Sequence, residues 1–325
     1  MSLEIDVLDV SNGDAIVVRE VNPQTGHEWV GVIDGGETDD DGDIVVEHVR
    51  RHTTKERIDD VLCSHPDADH IGGLSRVVTR LGVGRVWIHD PTRHIDLRRV
   101  RTFLQQRPGS AARKLERSMQ QCTDFLGIVD RLGIPRSEPF AGVAAGRLLV
   151  LGPSREYYRE LLTQFEKIEG VFVENERADE ETWWTKLSEA ENPDAVIDED
   201  DTTSAENNSS VISLLRAEGR TFLFTGDAGV PALDRATVPA GVRDVDWLDV
   251  PHHGSKHNVN SRVLNRLNPS VAYFSAKGTQ KHPSRAVINA LKRRGCQCFS
   301  THKSGGLLYG LGGPPRVGWG PAEAL

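Results

Sequence analysis

Residues 64–73 read Ser64-His65-Pro66-Asp67-Ala68-Asp69-His70-Ile71-Gly72-Gly73. They follow an apolar run, Ile58 to Cys63, that reads as a buried strand, and they precede a helix-like segment from Leu74 to Leu81. Four side chains able to hold a metal, His65, Asp67, Asp69 and His70, therefore sit where a strand hands over to a helix. Imidazoles mixed with carboxylates suit Zn, Mn or Fe, whereas carboxylates alone suit Mg or Ca. The Gly72-Gly73 pair lets the helix begin close to whatever the four hold. A polar turn that happens to contain two His and two Asp is the plain alternative, and two matching segments downstream weigh against it.

The first is Thr221 to Phe224, a short apolar strand ending in Thr225-Gly226-Asp227. The second is the strand-like run Val245 to Val250, which ends in Pro251-His252-His253-Gly254-Ser255. Strand ends of this kind deliver ligands from distant sequence to one rim of an α/β or sandwich architecture. Gly-Asp after a strand is by itself usually a turn or a helix cap. All three segments in this order are a specific signal.

The set resembles the metallo-β-lactamase fold, and within it the competence-protein (ComEC-like) branch. The wider fold carries His-x-His-x-Asp-His, and here Asp67 replaces the second His, as in that branch. Leu8-Asp9-Val10-Ser11-Asn12-Gly13-Asp14-Ala15 is similar to the branch's opening motif, and Val32-Ile33-Asp34-Gly35-Gly36 to its second strand. Lys281-His282-Pro283-Ser284 and Ser300 to Gly306 resemble its closing elements. The fold implied is α/β, an αββα sandwich, as a single domain over 1–325 with a helical and acidic insertion within 93–201.

Local pattern agrees with that architecture. Strands are expected at 3–9, 14–20, 29–33, 58–63, 85–88, 147–151, 209–215, 220–224, 245–250, 271–275, 296–300 and 306–310. Helices are expected at 44–51, 70–81, 155–168, 257–267 and 284–294, and over 93–132 with a break at Pro108-Gly109. The acidic stretch Glu37 to Asp43 reads as a loop, and the insertion beyond 168 as acidic and irregular, with Trp183-Trp184 embedded as an anchor or a lid.

No apolar run approaches 18 residues, so no membrane span is expected. The N-terminus lacks the basic and apolar regions of a signal peptide. Cysteines 63, 122, 296 and 298 make no disulfide framework, and Cys296-x-Cys298 reads as a reduced core pair. A cytoplasmic setting is the expectation. The net charge of -9 hides an uneven distribution. Arg93, Arg98, Arg99, Arg101, Arg107, Arg113, Lys114 and Arg117 form a basic arm, whereas Glu174 to Asp201 is strongly acidic. Such a chain can bind a polyanion while net negative, and the acidic insertion offers a surface for a protein partner. A solvated helix face is the bland account of the basic arm.

The resemblance implies two divalent ions, Zn or Mn, with Mg admissible. His65, Asp67 and Asp227 would hold one. Asp69, His70, Asp227 and one of the paired histidines would hold the other, with Asp227 bridging. His252 is expected as the ligand, and His253 as the neighbour that orients it or meets substrate. The wider fold has a further His between the first motif and Gly-Asp. His89 and His94 lie in that interval but not after the expected late strand, where Glu206-Asn207-Asn208-Ser209-Ser210 stands instead. The first site is then harder and richer in oxygen, which shifts preference from Zn towards Mn or Mg.

Two ions ~3.5–4 Å apart can share a water whose pKa falls to about 7. Asp69 joins that chemistry, and His253, Lys256 and His282 are candidates to meet the leaving oxygen, His282 first. Asn208, Ser209 and Lys256 are expected to face the substrate. Asp14 and Asp34 fit as partners that orient ligand histidines. The function expected is a metal-dependent phosphodiesterase, a nuclease acting on nucleic acid. Hydrolysis of a lactam, lactone or thioester is the alternative the fold also hosts. A non-catalytic metal-binding module is the third reading.

Overall fold

The computed structural model describes residues 1–10, 13–55, 57–94, 110–165, 189–278, 282–313, 316, 319 and 321–325. Its strands, in chain order, are β1 Ser2–Val7, β2 Ile16–Val21, β3 Glu28–Ile33, β4 Arg57–Leu62, β5 Gly82–Trp87, β6 Arg136–Ser137 and β7 Ala144–Ala145. They continue as β8 Leu148–Gly152, β9 Ile212–Ala217, β10 Arg220–Phe224, β11 Trp247–Asp249, β12 Val271–Phe274, β13 Gln297–Ser300 and β14 Leu307–Leu311. Two sheets result, ordered β14-β1-β2-β3-β4-β5-β6 and β13-β12-β11-β10-β9-β8-β7.

Side-chain alternation along the strands explains the layering. Leu3, Ile5 and Val7 of β1, Trp29 and Ile33 of β3, and Phe222 and Phe224 of β10 point between the sheets. Their neighbours Val30, Val32 and, across the sandwich, Leu223 point outward, under helices. Apolar residues on both faces of a strand require cover on both sides, so the molecule is an α/β fold of αββα type. Asp60 anchors the inter-sheet layer by accepting the indole N–H of Trp29 at 2.9 Å and of Trp87 at 2.7 Å.

Each sheet is part antiparallel and part parallel. In the first sheet β3, β4, β5 and β6 run parallel. In the second, β10, β11, β12 and β13 do. Parallel strands end on the same side, so the loops after β3, β4, β10, β11 and β12 gather at one rim.

Two local expectations are corrected. Asp39, Asp40 and Asp41 form the first turn of the helix Asp39–His52 rather than a loop. Thr38 caps that helix: its hydroxyl accepts the Asp41 amide at 3.2 Å, while the Asp41 carboxylate accepts the Thr38 amide at 2.9 Å. Acids in the first turn also complement the helix dipole. The described end of the insertion is likewise ordered, with a helix at Pro193–Glu199. Its acids are taken by the body of the protein. Asp194 pairs with Arg294 at 2.8 Å, Asp198 accepts the Ser261 amide at 2.7 Å, and Asp201 accepts Asn260 Nδ2 at 2.7 Å. Trp183-Trp184, the Pro108-Gly109 break, Arg98, Arg99, Arg101, Arg107, Ser11-Asn12 and Lys281 lie outside the described residues.

Candidate metal centre

The loop after β4 is laced to its neighbours through backbone. Gly35 N–H donates to His70 O at 2.8 Å, Asp14 N–H to Asp69 O at 3.1 Å, and Val211 N–H to Ser64 O at 2.9 Å. The last of these joins the two sheets at the rim. A Cβ on Gly72 would lie 1.9 Å from Glu37 O, and one on Gly73 2.0 Å from Gly35 O. Hydrogen alone fits there, and the close approach brings the Asp34 turn under His70.

Three imidazoles face one carboxylate. Asp227 lies with Oδ1 at 3.1 Å from His70 Nε2, and with Oδ2 at 3.7 Å from both His65 Nε2 and His252 Nε2. On the other side, His253 Nε2 stands 3.4 Å from Asp69 Oδ2. Donor atoms of His65, His70 and Asp227 lie within 4.8 Å of one another, as do those of Asp69, His70 and His253. Each imidazole is aimed by a group behind it. Nδ1 of His70 meets Asp34 Oδ2 at 2.9 Å, Nδ1 of His253 meets Ser275 O at 2.8 Å and Asp14 at 3.3 Å, and Nδ1 of His252 meets Asn207 and Asn258, each at 3.1 Å.

Burial penalises charge on His65, His70, His253, Asp69 and Asp227, and their neighbours decide which of them keep it. Asp227 and Asp69 overcome it for His70, holding that imidazole well above the ordinary histidine range. Asp14 and Asp69 do so for His253. Burial and the adjacent His70 push His65 down. Against burial, His252, His70 and His65 hold Asp227 well below the usual carboxylate range, and His70 and His253 hold Asp69 low. Carboxylates packed this closely call for positive charge between them.

The donor set fits divalent ions. The Nε2 atoms of His65, His70 and His253 and Oδ1 of Asp227 are buried and make no hydrogen bond of good geometry, although they converge. Buried polar atoms are ordinarily satisfied, so four convergent exceptions mark a place for a cation. Zn or Mn suits the mixed imidazole and carboxylate donors.

Several residues stand differently from the sequence expectation. His253, not His252, has its Nε2 beside Asp69 and His70, whereas His252 faces Asp227 alone. The cause is backbone: His252 and His253 are both left-handed, at φ 51 and 55, which turns successive side chains in an unusual way. Asp67 belongs to neither donor group. Its Oδ1 accepts Ser118 Oγ at 3.0 Å and its Oδ2 meets Lys114 Nζ at 2.8 Å.

Asn208 and Ser209 bond within their own loop, Asn208 Nδ2 donating to Ser204 O at 2.9 Å and Ser209 Oγ to Glu206 O at 2.6 Å. Asn207 is the amide that reaches His252. Lys256 is half-buried beside Asp200, which also pairs with His257. His282 stacks on His252 with centroids 5.4 Å apart. His89 packs on Tyr158 and Phe140, and His94 Nε2 meets Glu138 at 2.7 Å, both outside the donor groups.

Lys114 and Ser118 were missed as site residues. The sequence marks Lys114 only as one cation of a basic arm, with nothing to say that the helix Ser110–Arg131 meets the first motif. The Lys114 side chain is largely exposed, but its ammonium lies against buried Asp67: desolvation there opposes the charge, and Asp67, Asp69 and Asp227 outweigh it and hold the ammonium firmly protonated.

Among the described residues no helix is long and apolar enough to cross a membrane. Residues 8–278 match the family model described as the Metallo-beta-lactamase superfamily. Two curated relatives are similar over about a third of the chain. ComE operon protein 3 of Bacillus subtilis (strain 168) is 27% identical over 108 residues, 33% of this chain and 14% of that protein. Competence protein ComA of Neisseria gonorrhoeae is 30% identical over 110 residues, 33% of this chain and 16% of that protein. The matched region is thus a small share of either relative. Among solved structures, the hydrolase AbOPH of the beta lactamase superfamily aligns at a TM-score of 0.39 and 11% identity, over 88% of this chain and 70% of that one. AidC, a dizinc quorum-quenching lactonase, aligns at 0.35 and 9%, over 89% and 72%. With its motif loops gathered at one rim and a match running from residue 8 to residue 278, the chain belongs to the metallo-β-lactamase superfamily.

Proposed function

We propose that this metallo-hydrolase is a phosphodiesterase acting on nucleic acid, a nuclease. Asp69, His70 and His253, with Asp227, would hold one divalent ion. His65, His252 and the other oxygen of Asp227 would face a second. Zn or Mn fits these donors, and Mg is admissible. Bound ions of this kind lower the pKa of water to about 7 and offset charge growing on a phosphoryl group.

The chain's own residues set the rest. Asp34 and Ser275 fix the rings of His70 and His253, so that Nε2 of each points inward. Asn207 and Asn258 hold His252, and His282 lies stacked upon it; His282 would hand a proton to the leaving oxygen. Lys114 puts a positive charge at the mouth, where an anionic substrate would arrive.

The observation that carries the reading is the unfinished shell around His65. Beyond His70, which is common to both donor groups, the imidazole that His252 adds on that side stands 3.7 Å from the shared Asp227 oxygen. His89 and His94 are engaged elsewhere. Water or a substrate oxygen would complete such a shell, and an anionic phosphodiester supplies a better oxygen donor than a neutral lactam or lactone carbonyl. The name of one curated relative, the competence protein ComA, supports the nucleic-acid half of the reading.

The test is incubation of the unaltered chain and Asp69→Ala with linear single- and double-stranded DNA, RNA and a cyclic dinucleotide, with Mn, Mg or Zn in turn. Cleavage of nucleic acid lost in Asp69→Ala is the expected result. Turnover of a lactone or thioester with no attack on any phosphodiester would sink the proposal.

A further inference from the structure

Both oxygens of Asp67 are already taken. Lys114 and Ser118 stand one turn apart on the helix Ser110–Arg131 and grip the carboxylate together, the ammonium at 2.8 Å from Oδ2 and the hydroxyl at 3.0 Å from Oδ1. His65 Nε2 lies 3.8 Å from the same Oδ2. An ion placed between His65 and Asp67 would therefore need the oxygen that the ammonium holds. Asp67 is 2% exposed, whereas the Lys114 side chain is 67% exposed. A buried anion is thus gripped by a cation reaching in from solvent, on a stem free to leave.

We propose that the Lys114 ammonium and a divalent ion are alternative occupants of the Asp67 side of the centre. One ion is then held firmly, by Asp69, His70, His253 and Asp227, and a second enters beside His65 only when Lys114 withdraws. Two cations this close repel strongly in a low-dielectric site, so they exclude each other. A lysine is a compact, hydrated point charge on a flexible stem, which suits a replaceable occupant better than an arginine fork would. The inference rests on reading the cluster as a metal centre and is independent of the substrate.

The test counts ions. The chain is stripped with a chelator and reloaded with Mn or Zn, and bound ions per chain are measured by mass spectrometry and calorimetry across a range of free ion. The unaltered chain is expected to take one ion tightly and a second ~10-fold or more weaker. Lys114→Met, which keeps the stem and removes the charge, is expected to tighten the second event by ~10-fold or more and the first by a smaller factor. Lys114→Gln is expected to behave the same way, and Ser118→Ala to leave the second event weak. With Mn, the spin-coupled signal of an ion pair is expected at lower loading in Lys114→Met. Equal or weaker second binding in both Lys114 variants overturns the inference. Phosphodiesterase assays on the same samples separate it from the functional reading. Tightening without hydrolysis in any sample keeps the inference and rejects the nuclease, and hydrolysis without tightening does the reverse.

Discussion

Oδ2 of Asp34 lies 2.9 Å from Nδ1 of His70, while Oδ1 accepts the amide of Ser64 at 2.7 Å. One carboxylate thus ties the ring orientation of a central imidazole to the backbone of the loop that carries it. Asp34→Asn removes the charge but keeps the shape, and Asn tolerates the left-handed φ of 57 found at this position. Metal affinity is expected to fall ~10–100-fold, the usual cost of losing such a partner. A competitive chelator titration reads this directly, and unchanged affinity would remove Asp34 from the design.

His89 gives a pH dependence that lies outside the metal centre. Burial, then the neighbouring His94, lowers its pKa from 6.5 to about 3. A folded-state pKa below the unfolded one means the unfolded chain binds more protons between those values. The native state therefore loses stability as pH falls from about 6.5 towards 3, by an amount on the order of a few kcal/mol. Denaturant melts at pH 7 and pH 4 should show this loss. His89→Phe, which keeps a ring against Tyr158 and Phe140, should flatten it.

Gly73 and Gly133 separate two reasons for using glycine. Gly73 has an ordinary φ of -78, yet its Cβ would collide with Gly35 O at 2.0 Å and Gly42 N at 2.7 Å. Gly133 has a φ of +65 with nothing within 4 Å of its Cβ. Gly133→Ala is expected to cost about 1 kcal/mol from backbone strain. Gly73→Ala must push whole loops apart and is expected to cost about 3 kcal/mol or more, with metal binding weakened as well. Urea melts of the pair rank the two. A Gly73→Ala protein as stable as Gly133→Ala would mean that the Asp34 turn is not packed as described.

Much of this was legible in the sequence because strand ends announce themselves. Apolar runs ending in His65 to His70, Asp227 and His252-His253 fixed which residues meet, and alternation along β1, β3 and β10 fixed the layers. What stayed hidden depends on rotation and on long-range register. The order of His252 and His253 turns on two consecutive left-handed residues, which no spacing rule conveys. Asn207 replaces Asn208 because the single helical turn Ala205–Asn208 sets which amide faces inward. Thr38-x-x-Asp41 was a readable cap, but Asp rather than the usual Glu or Gln stands at its third position, inside an acid run that resembles a loop. Lys114 reaches Asp67 across 47 positions of chain that includes undescribed residues, and only the packed helix reveals that pairing.

The paired histidines offer the sharpest division of roles. His253 Nε2 stands beside Asp69 and His70 and is backed by a backbone carbonyl, so it belongs with the firmly held ion. His252 touches the cluster only through Asp227 at 3.7 Å and is backed by two neutral amides. His253→Ala should therefore cost the tight ion ~100-fold or more in affinity, since one of its few protein donors is gone. His252→Ala should keep that ion and lose the weaker one, along with most hydrolysis. Ion counts after dialysis against a fixed free concentration distinguish the two variants without an activity assay. If His252→Ala sheds the tight ion and His253→Ala keeps it, the left-handed turn at 252–253 presents the opposite ring to the metal, and the second donor set must be redrawn around His252.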